Sequence, residues 1–94
     1  MNVKNKVVWK FELHFAMYDW IQMPKEAQIL HVAHQNNIPY VWALVDPRMP
    51  TVSRRFLMLG TGHSHVNDVA SFIGTFMVEE DNLVFHLFDL GEVD

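Results

Sequence analysis

From Val7 to Phe15 the chain alternates strictly, with Val7, Trp9, Phe11, Leu13 and Phe15 separated by Val8, Lys10, Glu12 and His14. This period-two pattern belongs to a β-strand that buries one face, because successive side chains on a strand point to opposite sides. Tyr18 to Met23 reads as a second extended piece. Pro24 ends it, since proline cannot donate a ladder hydrogen bond. Ile29 to His34 and Tyr40 to Val45 are two β-rich runs on either side of Gln35-Asn36-Asn37-Ile38-Pro39, where the asparagines tolerate positive φ and suit a hairpin tip. Ile29-Leu30 and Val41 through Val45 are apolar on both faces, which predicts this hairpin at the centre of the domain.

Asp46-Pro47-Arg48-Met49-Pro50 then interrupts the sheet, because two prolines so close together force a turn or short loop. Ser53 to Leu59 resumes as a strand, with Arg54, Phe56 and Met58 on one face and Arg55, Leu57 and Leu59 on the other. Gly60-Thr61-Gly62-His63-Ser64-His65 follows as a glycine-punctuated loop, and Val66 to Ser71 has room for one helical turn capped by Asn67 or Asp68. Phe72 to Val78 and Leu83 to Leu87 form a second hairpin around Glu79-Glu80-Asp81-Asn82, with Phe72, Gly74, Phe76 and Val78 expected on one face. Six or seven short strands at regular spacing predict an all-β fold, a small antiparallel β-sandwich or partly open barrel, as one domain over residues 1–94. Exposed edges in so short a β-protein favour pairing with a second copy, so a homodimer through sheet edges is compatible with the pattern.

At 94 residues the chain is expected to hide roughly 65% of the surface of its unfolded form, and half of its residues are apolar, enough for one core. There is no cysteine, which removes disulfides and thiolate metal sites and favours a reducing interior. The polar residues between Val7 and Phe15 prevent a signal-peptide core, and no run reaches membrane-spanning length, so a cytoplasmic location without membrane contact is expected. The formal charge of −4 is unevenly spread: residues 1–55 carry all seven Lys and Arg against four acids, whereas residues 56–94 carry seven acids and no Lys or Arg. The two halves should attract across the sheet. Direct nucleic-acid binding is disfavoured, because so few basic residues release few counterions.

Six histidines invite a search for a metal site, but His31 and His34 are three apart and point to opposite faces of a strand. His63, His65 and His86 are the remaining candidates; polar histidines in a loop or on a wet face are the simpler reading, and no metal or other cofactor is assigned. Gly60, Thr61, Gly62 and His63 follow a strand as a phosphate cradle would, but the third glycine of a dinucleotide fingerprint and the Gly-Lys-Ser/Thr of a P-loop are missing. Arg54 and Arg55, on the strand leading into that loop, suit phosphates and carboxylates. Trp42 is a candidate stacking platform, and Glu79, Glu80 and Asp81 gather acidic charge at a hairpin tip. No serine stands in a nucleophile elbow and no catalytic arrangement emerges, so an enzyme is not expected.

Ile21-Gln22-Met23-Pro24, Ala27 through Val32, Gln35-Asn36, Trp42 through Pro47, Arg55-Phe56, Gly60 through His63, Ile73 through Phe76 and Leu83 through Phe88 together resemble a family of short, mostly uncharacterised phage and prophage proteins. The likeness spans roughly residues 7–88. The chain departs from the family at Ser64, where proline often follows Gly-Thr-Gly-His, and in a longer stretch around Phe15 to Trp20. The resemblance implies an accessory protein acting in the cytoplasm of an infected bacterial host. By analogy it implies an inhibitor of a defence system, anti-CRISPR-like, that binds a host defence protein. Two alternatives stay open: an oligomeric sponge for a nucleotide immune signal, built from Arg54, Arg55, Gly60 to His63 and Trp42, and a virion or structural accessory protein.

Overall fold

A computed structural model of the chain describes residues 5–64 and 70–93, and these form seven antiparallel strands in two sheets with no helix. The strands are β1 (Val7–Glu12), β2 (Tyr18–Pro24), β3 (Gln28–Gln35), β4 (Ile38–Val45), β5 (Thr51–Gly60), β6 (Ser71–Val78) and β7 (Leu83–Val93). The first sheet runs β1-β4-β3 and the second β2-β5-β7-β6. The inner faces meet in a single core, to which the first sheet gives Val32, Val41, Ala43 and Val45 and the second gives Ile21, Met23, Phe56, Met58, Phe76, Val78 and Leu87. The sheets approach most closely where β3 meets β6. There a Cβ added at Gly74 would stand 3.0 Å from Val32 Cγ1, tighter than an ordinary contact, so glycine eases the approach of the two strands. This is the expected all-β architecture, a sandwich with an open arrangement of its sheets. Among the described residues, no helix is long and apolar enough to cross a membrane.

The hairpin tips follow from their residues. Gln35 pairs with Ile38, leaving Asn36 and Asn37 as a two-residue loop with φ of 53° and 65°, the left-handed conformation that asparagine accepts most readily. The Asn37 side chain then accepts a 2.8 Å hydrogen bond from the backbone N–H of Glu79, tying the two hairpin tips together. The Asp46 to Pro50 segment is a turn, closed by Met49 N donating to Asp46 O at 3.1 Å.

Three expectations are revised. β1 keeps its alternation but stops at Glu12, and its inward residues Val7 and Trp9 remain 41% and 43% exposed. β1 is the outer strand of its sheet and packs mainly on β4, so its alternation marks a sheet margin and not a fully buried face. Within the first hairpin only β4 is central; β3 is an edge, and the register shift between Ile29 and His31 leaves Leu30 46% exposed. In β6 a second shift, between Phe72 and Gly74, separates Phe72 from the inward face of Gly74, Phe76 and Val78. Phe72 points outward and is 62% exposed. The helical turn expected from Val66 and the ligand role of His65 fall on residues outside those described; Ser71 opens β6.

Candidate functional site

Arg54 and Arg55 are neighbours in sequence with opposite fates. Arg54 points into the sandwich, where Nε and Nη2 donate to the two carboxylate oxygens of Asp89 at 3.0 and 2.5 Å and Nη1 donates to Ala27 O at 2.8 Å. Glu92 Oε1 stands 3.6 Å from Nη1, and Glu92 also accepts from the backbone N–H of Glu26. Hydrogen bonding to Asp89 raises the guanidinium pKa further against the effect of burial. The attraction expected between the basic and acidic halves is realised here, as an internal clamp between β5, β7 and the turn that leads into β3. It leaves Arg54 committed to the scaffold.

Arg55 points outward on the second sheet. Its Nη2 donates to Leu90 O at 3.0 Å, and its Nε is buried without an acceptor among the described residues. Across the ladder it faces Trp20 on β2 and Gly91 on β7. Trp42 stands on the outer face of the first sheet, beside Tyr40 and His31, with ring centroids 6.1 and 6.0 Å away, and Lys10 covers Tyr40 from 4.4 Å. Trp42 and Arg55 therefore occupy opposite outer surfaces of the sandwich.

Gly60, Thr61, Gly62 and His63 form a turn at the far end of β5, with His63 N donating to Gly60 O at 3.1 Å and Gly62 at φ +93°. The His63 ring lies against Gly60, where an added Cβ would come within 3.1 Å of it. Five residue steps along β5 separate Gly60 from Arg55, roughly 17 Å at the rise of a strand. The hairpin tip Glu79, Glu80 and Asp81 lies near the turn: Asn82 and Leu83 line the same shallow recess as Gly60, Thr61 and His63. All three acidic residues hold left-handed backbone, with φ of 53°, 57° and 69°. His86 is held between two hydroxyls, Thr61 Oγ1 at Nε2 and Thr75 Oγ1 at Nδ1, each at 2.9 Å, so both ring nitrogens are occupied. The structure thus brings the glycine turn and the acidic tip to one end and leaves Trp42, Arg54 and Arg55 elsewhere.

The surface that sequence reasoning missed is the outer face of the second sheet. Tyr18 and Trp20 on β2 are 42% and 57% exposed, and on β6 Phe72 meets Phe88 of β7 edge-on at 5.5 Å. Leu57, beneath this aromatic layer and directly between Tyr18 and Phe88 in the ladder, is fully buried. The signal was present in β2: Ile21 and Met23 alternate with Trp20 and Gln22, so a core on one side leaves the tryptophan outside. Phe72 gave no such signal, because its face depends on the irregularity in β6.

Fold and surface together define a two-sheet, all-β protein with an aromatic exterior on its larger sheet. The chain belongs to the DUF7352 family, a domain of unknown function whose model matches residues 4–93. No curated protein and no solved structure is significantly similar to it.

Proposed function

We propose that this chain is a binding protein that acts by occupying the surface of another protein with the outer face of its four-stranded sheet. The observation that carries the reading is the exposure of Trp20 and Phe72 on that face, at 57% and 62%. Large aromatics together on one exposed face mark interaction surfaces, and interface centres are enriched in aromatic residues and arginine. On the resemblance of its sequence motifs to phage and prophage proteins we assign a bacterial defence component, such as a CRISPR effector, as the partner, with the cytoplasm of the infected host as the place of action. The acidic tip Glu79, Glu80 and Asp81 lies about 20 Å along β6 from Phe72, so the aromatic face is the primary contact and the tip at most its margin.

Against a nucleotide sponge stands the separation of its residues: Arg54 is committed to Asp89, and Trp42 and Arg55 lie on opposite outer faces. The test is capture from host lysate at near-physiological salt by the immobilised chain and by a Trp20→Glu, Phe72→Ser variant, with circular dichroism to verify folding. A defence protein retained by the wild type and lost by the folded variant supports the reading. Equal retention by both, or recovery of no defence protein, refutes it.

A further inference from the structure

Beside Arg55, Gly91 has φ +94° and open space where a Cβ would stand, so no side chain rises next to the guanidinium on that side. Trp20 and Tyr18 on the other side, with Leu90, Asp19 and Phe56, line a recess of about 240 Å³ around Arg55. A guanidinium offers five N–H donors in a planar fork. Here the protein supplies one acceptor, Leu90 O, and leaves the buried Nε without any among the described residues. A buried N–H without an acceptor is costly, so the guanidinium is short of an acceptor.

Asp19 borders the recess but its carboxylate is engaged, accepting from the His14 backbone N–H at 2.7 Å and lying 3.1 Å from His14 Nδ1. No Asp or Glu occupies an outward strand position on this sheet among the described residues. Among the described residues nothing supplies the missing acceptor.

We infer that the recess is an anchor point for a carboxylate carried on a flat or apolar body, the carboxylate meeting the Arg55 fork and the body lying against Trp20 and Tyr18. Paired N–H donors match the two oxygens of a carboxylate, and the aromatic walls lower the competition from water. The net charge of −4 repels a highly acidic partner at long range. Recognition is therefore local, and favours one acid among apolar neighbours over an acidic tract or a polyphosphate. Identifying that acid as an Asp or Glu side chain of a partner protein rests on the protein-binding reading above; the anion chemistry of the recess does not.

The test is a titration of the full-length, nitrogen-15-labelled chain with benzoate, with benzamide as its neutral counterpart and with inorganic phosphate, read by NMR. Benzoate should move the Trp20 indole and Arg55 Nε–H resonances with a Kd on the order of millimolar, as befits a fragment. Benzamide and phosphate should move them several-fold less, and Arg55→Gln should abolish the benzoate response of the indole. Should Arg55→Gln fail to fold, Trp20→Ala, at an exposed position, carries the test by weakening the Arg55 Nε–H response several-fold. Equal responses to benzoate and benzamide, a phosphate response as large as that to benzoate, or a response that survives Arg55→Gln would overturn the inference. Loss of partner capture in the Trp20→Glu, Phe72→Ser variant of a chain that ignores benzoate would leave the function standing and remove the recess. Benzoate binding by a chain with no defence partner would do the reverse.

Discussion

Arg54 and Arg55 look equivalent in sequence, and the structure predicts that their removal has very different consequences. Arg54→Met would strip Asp89 of two charge-assisted hydrogen bonds and Ala27 O of its donor, and would leave the Asp89 and Glu92 carboxylates close together without a cation. Breaking a buried pair by removing one partner costs about 3–5 kcal/mol. The two side chains retain 13% and 16% exposure, so water screens part of that, and we expect about 3 kcal/mol. A domain of this size has a total stability of roughly 5–14 kcal/mol, and each kcal/mol moves the midpoint by about 4–8 °C, so Tm should fall by roughly 12–24 °C. Arg55→Gln removes one hydrogen bond to Leu90 O and relieves an unpaired buried Nε, two effects of opposite sign, so its cost should stay within about 1 kcal/mol. Thermal and urea unfolding of both variants at neutral pH measures the contrast. Equal destabilisation by the two would refute the assignment of Arg54 to the scaffold and Arg55 to the exterior.

Gly74→Ala should destabilise by about 1–2 kcal/mol, because the new methyl meets the stiff, buried Val32 side chain at 3.0 Å, and the entropy gained by restricting the unfolded chain offsets only part of this; an unchanged urea midpoint would contradict it. Asn37→Ala should cost about 1–2 kcal/mol, from a left-handed backbone and the lost bond from Glu79 N, whereas Asn37→Gly should recover much of the backbone part. Arg48 donates its side-chain and backbone N–H groups to Asp46 and holds that carboxyl down at about 2. A folded-state pKa below the unfolded value means that the Asp46 contribution is complete above the unfolded pKa of 3.8 and is lost as pH falls through about 2. Urea midpoints of the wild type and Asp46→Asn should therefore converge as pH is lowered from about 5 to 2; a constant gap would exclude this.

Local chemistry wrote most of the fold into the sequence. Asn36-Asn37 marked a hairpin tip, Pro24 and the Pro47/Pro50 turn ended strands, and the alternation in β5 correctly divided Arg54 from Arg55. What stayed hidden depended on where strands sit in the sheets. Trp9 has the same alternating context as a buried residue, but a strand at the sheet margin covers it only in part. Phe72, in phase with Phe76 by counting, was turned outward by one irregular residue, and no pattern of residue types marks such a place. Arg54 and the acids at Asp89 and Glu92 were visible as opposite charges in the two halves, but their convergence required the pairing of β5 with β7. The aromatic exterior was half legible, from Trp20 and not from Phe72.

Arg55 pairs with Gly91 and Phe56 with Asp89, so Leu90 is a supernumerary unit in β7. Were it deleted, a regular ladder would still place Glu92 opposite Arg54 inside and Gly91 opposite Arg55 outside. The shortened chain would keep its interior and lose the wall and the carbonyl that hold the Arg55 fork in position. Scaffold and surface are thus separable at this one point, and a single-codon change could rewrite what the protein recognises while leaving intact the body that presents it.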